Sequence, residues 1–221
     1  MGELSGGDVT LFKGQNLACE RGERLVFAGL DFTLSPGEAL ILTGPNGSGK
    51  SSLLRLMAGL LKPAAGQLLW DGKPLEEEPE AHRRRLHYLG HQEAVKPVLT
   101  LSENLSFWAA LKGGEVGEAA ILEALDRFAL KPLAELPARY LSAGQRRRLA
   151  LARLLAAPGD LWLLDEPTVG LDSASVTRLC EEIEAARAKG ARVVLATHLE
   201  LPLGDRKQLD LSGLESGVLL A

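Results

Sequence analysis

A chain of 221 residues has room for one well-buried α/β core and a modest insertion, but hardly for a second full domain. Its 25 Lys and Arg against 29 Asp and Glu leave a net charge of −4, which argues against nucleic acid as the main partner, since binding phosphates calls for a basic balance. Cys19 and Cys180 stand far apart with no C-x-x-C spacing and read as two reduced, buried thiols in a reducing compartment, best matched by the cytoplasm.

Met1 to Thr10 carries acids and glycines but no basic stretch leading into an apolar run, so no signal peptide is expected. From Arg24 to Thr43 short apolar clusters are punctuated by Gly29 and Ser35-Pro36-Gly37, the pattern of strands joined by turns, with Ala39 to Thr43 the last of them. A helix is expected from near Gly49 to about Leu60, with Leu53, Leu54, Met57 and Ala58 on one face. Gln67 to Asp71 and Leu86 to Gly90 predict further strands, separated by the charged segment Glu76 to Arg85.

Beyond Gln92 the pattern turns helical. Thr100 and Glu103 form a capping box, followed by Leu101, Leu105, Trp108 and Leu111 at helical spacing, and a second helix from Glu118 to Phe128 follows a Gly113-Gly114 break. Glu93 to Tyr140 is therefore expected to be an all-helical insertion in an α/β domain. Ser142 and Gln145 form another capping box, opening a helix to about Ala157 that ends before Pro158-Gly159. The most apolar region, Leu149 to Leu164, is broken by Arg153, Pro158, Gly159 and Asp160, short of the roughly 20 apolar residues of a spanning helix. Membrane association is thus expected only through a partner.

Leu161 to Leu164 is uninterruptedly apolar, as are strands buried on both faces of a parallel sheet. Val176, Leu179, Ile183 and Ala186 mark a helix face stopped by Gly190, Arg192 to Ala196 a further strand, and Gln208 to Leu211 an edge strand. Strands alternating with helices predict a parallel sheet covered on both faces.

Gly44-Pro45-Asn46-Gly47-Ser48-Gly49-Lys50-Ser51 matches G-x-x-x-x-G-K-[ST], with a strand before it and a helix after it. The glycines let backbone N–H groups face phosphates, the helix N-terminus adds its dipole, Lys50 reaches the β- and γ-phosphates, and Ser51 offers its hydroxyl to Mg²⁺. Ser52 continues the same turn. The apolar strand ending in Asp165-Glu166 supplies a metal-holding carboxylate and a base for the attacking water, at the strand ends where open α/β sheets bind ligands. Together these two motifs define a P-loop NTPase, and the absence of N-K-x-D argues against a GTPase.

Leu141-Ser142-Ala143-Gly144-Gln145, just before a helix, resembles the LSGGQ signature of ABC ATPases, with Ala143 in place of the first signature glycine. Read from the residues alone, it is a second phosphate site at a helix N-terminus, and one ATP cannot easily use both. The resemblance implies a head-to-tail dimer in which the signature of one copy closes on the ATP held by the phosphate loop of the other. It also implies that Gln92 is the Q-loop glutamine that links Mg²⁺ to the helical lobe, that Asp172, after Leu171, lies in the D-loop, and that His198 holds the attacking water. The fold it implies is an α/β P-loop core, residues 1–92 and 158–221, with antiparallel N-terminal strands and a helical signature subdomain, residues 93–157.

Tyr88-Leu89-Gly90-His91-Gln92, then Leu99 to Leu105, then Ser142 to Arg148 resemble the ATP-binding subunits of cytochrome c maturation haem exporters, although Leu199-Glu200-Leu201 departs from the Gln and Pro usual there. That likeness implies an integral membrane partner, a peripheral place on the cytoplasmic face of the inner membrane, and only an indirect relation to haem. A soluble mechanical ABC-type ATPase usually fuses two halves or adds coiled coils, neither of which fits this length. A non-hydrolysing subunit would be expected to lose Glu166 or His198, and both are present. Arg83 to Arg85 and Arg146 to Arg148 read as solvated faces, Phe107 and Trp108 as helical-lobe core or as an aromatic pair lining a groove for a membrane partner, and His87 and His91 as neighbours on one strand face without a third ligand. The aromatic that commonly stacks adenine is missing from Cys19 to Arg24, which leaves Phe12, Phe27 or the Arg21 guanidinium.

Overall fold

The computed structural model describes residues 10–22, 24–113, 116–157 and 159–213; Met1 to Val9, Gly114 of the expected glycine break and Pro158 lie outside them. In chain order the elements are β1 (Phe12–Arg21), β2 (Arg24–Leu34), β3 (Ala39–Thr43), α1 (Lys50–Met57), β4 (Ala65–Trp70), β5 (Lys73–Pro74), α2 (Pro79–Arg85) and β6 (Leu86–Leu89). There follow α3 (Leu101–Leu111), α4 (Glu118–Arg127), α5 (Ala143–Ala152), β7 (Leu161–Asp165), α6 (Ser173–Ala188), β8 (Arg192–Ala196) and β9 (Lys207–Asp210). The strands form an antiparallel sheet in the order β2-β1-β4-β5 and a five-stranded sheet in the order β6-β7-β8-β3-β9, parallel at every pairing.

Burial on both faces of the parallel sheet explains its apolar strands, because alternate residues join different cores. Ile41, Trp162, Leu164, Val193 and Leu195 pack toward α6 and the helical insertion. Leu40, Leu42, Leu161, Leu163, Val194 and Ala196 pack toward α1 and the antiparallel sheet, with Phe12, Phe27 and Leu54. The insertion has no core of its own: Leu101, Leu105, Ile121, Leu125 and Phe128 belong to the same buried cluster as the sheet face.

Several elements differ from the sequence-based expectations in extent. Helix α1 ends at Met57, one turn early, where Gly59 takes φ of 68° and leaves Leu60 65 % exposed. Helix α5 ends at Ala152 rather than Ala157; beyond it the Leu154 and Leu155 N–H groups donate to carbonyls three residues back, a tighter turn that swings the chain into β7. Leu111 ends α3 on its exposed side, off the expected apolar stripe. The charged segment holds helix α2, opened by Pro79 at its first turn. Strand β6 stops at Leu89, so His91 lies beyond it, while His87 is buried and hydrogen-bonded to the Ala157 carbonyl; the two do not share a strand face. Burial lowers the His87 pKa to about 3, with nearby Lys112 adding to the effect. Among the described residues no helix is long and apolar enough to cross a membrane.

Candidate nucleotide site

The order β7-β8-β3 places three parallel strands side by side, so that their carboxyl ends open onto one rim. From the end of β3 the chain runs through Gly44 to Gly49 and enters α1, whose first turn has neither a side-chain cap nor an acidic residue. A helix start leaves backbone N–H groups without intrahelical partners, so this end is ready for an anion. Gly49 is held at φ of 100°, and a Cβ there would lie 2.7 Å from Val26 Cγ1 and 2.9 Å from the Phe27 ring, so only glycine fits this contact without displacing β2. Lys50 is 8 % exposed and its Nζ donates to the carbonyls of Gly44 at 2.7 Å and Pro45 at 2.9 Å, closing the loop into a ring.

A cavity of about 810 Å³ opens over this loop. Asn46, Gly47, Gly49, Lys50, Ser51 and Ser52 line its floor; Asp165, Glu166 and Thr168 come from the end of β7 and His198 from the end of β8. Arg21, Arg24 and Val26, from the β1–β2 hairpin, form a further wall. Phe12 and Phe27 are fully buried, so neither offers a stacking face, whereas Arg21 is exposed at the cavity. Gly44, Pro45 and Ser48 shape the loop without lining the cavity.

Glu166 is half-buried, takes φ of 46°, and donates its N–H to the Ala196 carbonyl at 2.8 Å. His198 Nε2 stands 3.4 Å from Glu166 Oε1, so the two residues expected to handle the attacking water are adjacent. Asp165 is 1 % exposed and its Oδ2 accepts no hydrogen bond, although His91 Nε2 lies 3.6 Å away. Ser48 Oγ and Thr168 Oγ1 are also buried and unpartnered. Buried polar atoms normally have partners, and orphaned oxygens beside a phosphate loop suit a hard cation with oxygen ligands. Asp165 offers such an oxygen, and the hydroxyl-bearing Ser51 lines the same cavity.

The signature residues lie elsewhere. None of Leu141 to Gln145 lines this cavity. Ser142 is exposed at the start of α5; its Oγ accepts from the Gln145 N–H at 3.2 Å, and Gln145 Oε1 accepts from the Ser142 N–H at 2.8 Å. Ala143 enters α5 with negative φ, so its methyl causes no backbone strain. Gly144 packs so closely that a Cβ would sit 3.3 Å from the Gly170 carbonyl oxygen. Asp172 caps α6 by accepting from the Ser175 N–H at 2.7 Å, a bond that holds its carboxyl below the usual pKa.

Gln92 is exposed and lines a neighbouring groove of about 790 Å³ between β6 and α3, together with Trp108, Leu111 and Arg153. His91, one residue earlier, lines both the groove and the nucleotide cavity. Three further residues of this neighbourhood carry little signal in the sequence: His91, four residues after His87; Thr168, whose one signal is its place in the loop after Glu166; and Arg147, in the middle of a charge run. Burial pushes the Arg147 guanidinium pKa down, against the pull of Glu93, Asp165 and Glu166.

The chain matches the ABC transporter family over residues 14–169. It is 57 % identical over 202 residues to the cytochrome c biogenesis ATP-binding export protein CcmA of Paramagnetospirillum magneticum, covering 90 % of this chain and 93 % of that one. The CcmA protein of Rhodospirillum rubrum is 58 % identical, over 87 % of this chain and 82 % of its own. Among solved structures, an ABC transporter ATP-binding subunit aligns with TM-score 0.77 at 29 % identity, over 86 % of this chain and 80 % of that one. A Pyrococcus furiosus chain of the same description shares the fold, with TM-score 0.82 at 23 % identity over 93 % of this chain and 100 % of its own. The chain therefore belongs to the ABC transporter family of ATP-binding proteins, and within it to the group that holds these CcmA proteins.

Proposed function

We propose that this chain hydrolyses ATP for a cytochrome c biogenesis export transporter, as a dimer on the cytoplasmic face of the inner membrane. The observation that carries the reading is the convergence of the Lys50 loop, the orphaned Asp165 carboxylate and the Glu166–His198 pair on one cavity. In this reading the Lys50 ammonium and the first-turn N–H groups of α1 bind the phosphates, and Arg21 flanks the base. Glu166 takes the proton of the attacking water, and His198 keeps that water in line. Ser51 and Asp165 would hold Mg²⁺, with Gln92 as a further ligand, and the ion would supply positive charge to offset that of the phosphates.

The site is completed by a second copy, whose Ser142 and Gly144 face the phosphates from the other side, and the exposed start of α5 supports that geometry. Residues 93–157 then act as the moving lobe on a core of residues 1–92 and 158–221. The groove beside Gln92, with Leu111 61 % exposed at its edge, suits a segment of an integral membrane subunit. Haem is handled by the partners and only indirectly by this chain. Cells in which Glu166→Gln replaces the native chain are expected to lose haem-bearing c-type cytochromes while the purified variant still binds ATP. Cytochrome levels equal to those of the native strain would refute the reading.

A further inference from the structure

The middle arginine of Arg146-Arg147-Arg148 is not a solvated residue. Arg147 is 5 % exposed and reaches from α5 beneath the end of β7. Its Nη2 donates to the carbonyls of Glu166 at 2.5 Å and Asp165 at 3.3 Å, its Nε to Pro167 at 3.3 Å, and its Nη1 to Gly90 at 3.4 Å. Burying a cation among carbonyl oxygens is costly unless its donors are well used, and a guanidinium alone offers five of them in a rigid planar fork. Arg146, next to it, ties the same helix to Glu93 at 3.7 Å.

What Arg147 grips is unusual. Glu166 sits at φ of 46°, in the left-handed region that a glutamate disfavours, and such a conformation persists only where its surroundings over-determine it. The Ala196 carbonyl takes the Glu166 N–H on one side, and Arg147 takes the Glu166 carbonyl on the other. The same guanidinium holds Gly90, the residue just before His91 and Gln92. One side chain on the signature helix thus touches both the catalytic strand end and the root of the loop that lies between cavity and groove.

We propose that Arg147 is a positioning residue for hydrolysis: it fixes the backbone of Glu166 in the conformation that aims its carboxylate into the cavity, and ties that conformation to the signature helix and the Gly90–Gln92 loop. The proposal rests on Glu166 being the general base. It explains why a buried position of a helix otherwise packed with Leu149, Ala150 and Leu151 carries a charge. A lysine there would keep the charge but not the fork, and a single ammonium cannot span four carbonyls in fixed directions.

The test is a kinetic cycle on the full chain with Mg-ATP, using Arg147→Lys, Glu166→Gln and the double variant. Arg147→Lys is expected to lower kcat by about 10- to 100-fold, the order expected for a misplaced catalytic group. Its KM for ATP should stay within about twofold of native, since the phosphate loop is untouched. In the Glu166→Gln background the same substitution should cost nothing further, because the group it positions is already disabled. Native kcat in Arg147→Lys, or an equal loss in both backgrounds, overturns the proposal while leaving the Glu166 assignment standing. Near-native turnover in Glu166→Gln alone overturns the base assignment, and the role of Arg147 with it. If thermal unfolding shows that Arg147→Lys does not fold, Arg147→Gln takes its place with the same predictions.

Discussion

Two helix N-termini in this chain carry phosphate-site chemistry, and they are finished in opposite ways. Helix α1 starts at a left-handed glycine with no side-chain cap, inside a cavity walled by Asp165, Glu166 and His198 of its own chain. Helix α5 starts at an exposed serine, with its first turn satisfied by a reciprocal capping box and no share in that cavity. A bare helix end costs stability unless something binds it, whereas a capped one is stable by itself. The first suits a ligand bound within its own chain. The second can still serve a phosphate, because the Ser142 oxygen accepts the capping bond and keeps its own O–H to donate. In the proposed dimer it does so for a ligand held by the other copy.

The largest effect should come from the bare end. Lys50→Ala removes the ammonium from the phosphate loop, and hydrolysis should fall by roughly 10² to 10³, together with ATP affinity, as loss of a charged donor does elsewhere. Turnover with unchanged affinity would show that α1 is not the phosphate cradle. At the capped end, Ser142→Asp should separate structure from function. Aspartate caps as well as serine, so the unfolding free energy should hold within about 0.5 kcal/mol, while a carboxylate facing phosphate should abolish hydrolysis and leave ATP binding by the single chain intact. Mixing the Lys50→Ala and Ser142→Asp variants should restore one good site in each heterodimer, giving about a quarter of native turnover in an equal mixture. A mixture no more active than its parents would count against sharing.

The two ends should also differ in what a methyl group does to them. Gly49→Ala forces a Cβ into the left-handed region and onto Val26, and should lower stability by about 1–3 kcal/mol in denaturant unfolding. Ser142→Ala removes only the cap and should cost about 1 kcal/mol. If the order of these two were reversed, α5 rather than α1 would be the strained end.

Much of this architecture was legible in the sequence because its signals are local. Uninterrupted apolar runs marked β3, β7 and β8, and both capping boxes formed as the spacing of Thr100 with Glu103 and of Ser142 with Gln145 predicted. Strand β1 was harder to read: its register shifts between Gly14 and Leu17 and again before Glu20 break the two-residue alternation that would have marked it. Helix α2 buries one residue, His82, and so has no apolar face to read. The site divides the same way. The phosphate loop, Asp165, Glu166 and His198 are placed by strand ends and meet as expected. Arg147 turns inward from a charge run, and His91 stands exposed beyond β6 with its Nε2 3.6 Å from Asp165 Oδ2; neither placement leaves a periodic signal in the sequence.

The proposal that the site is shared between two copies is tested most directly by the mass of the Glu166→Gln variant in solution with ATP, with and without Ser142→Asp. An ATP-dependent dimer is expected for Glu166→Gln, and an ATP-bound monomer for the double variant. A double variant that still dimerises with ATP, or a Glu166→Gln chain that binds ATP and stays monomeric, would contradict a nucleotide held between two copies.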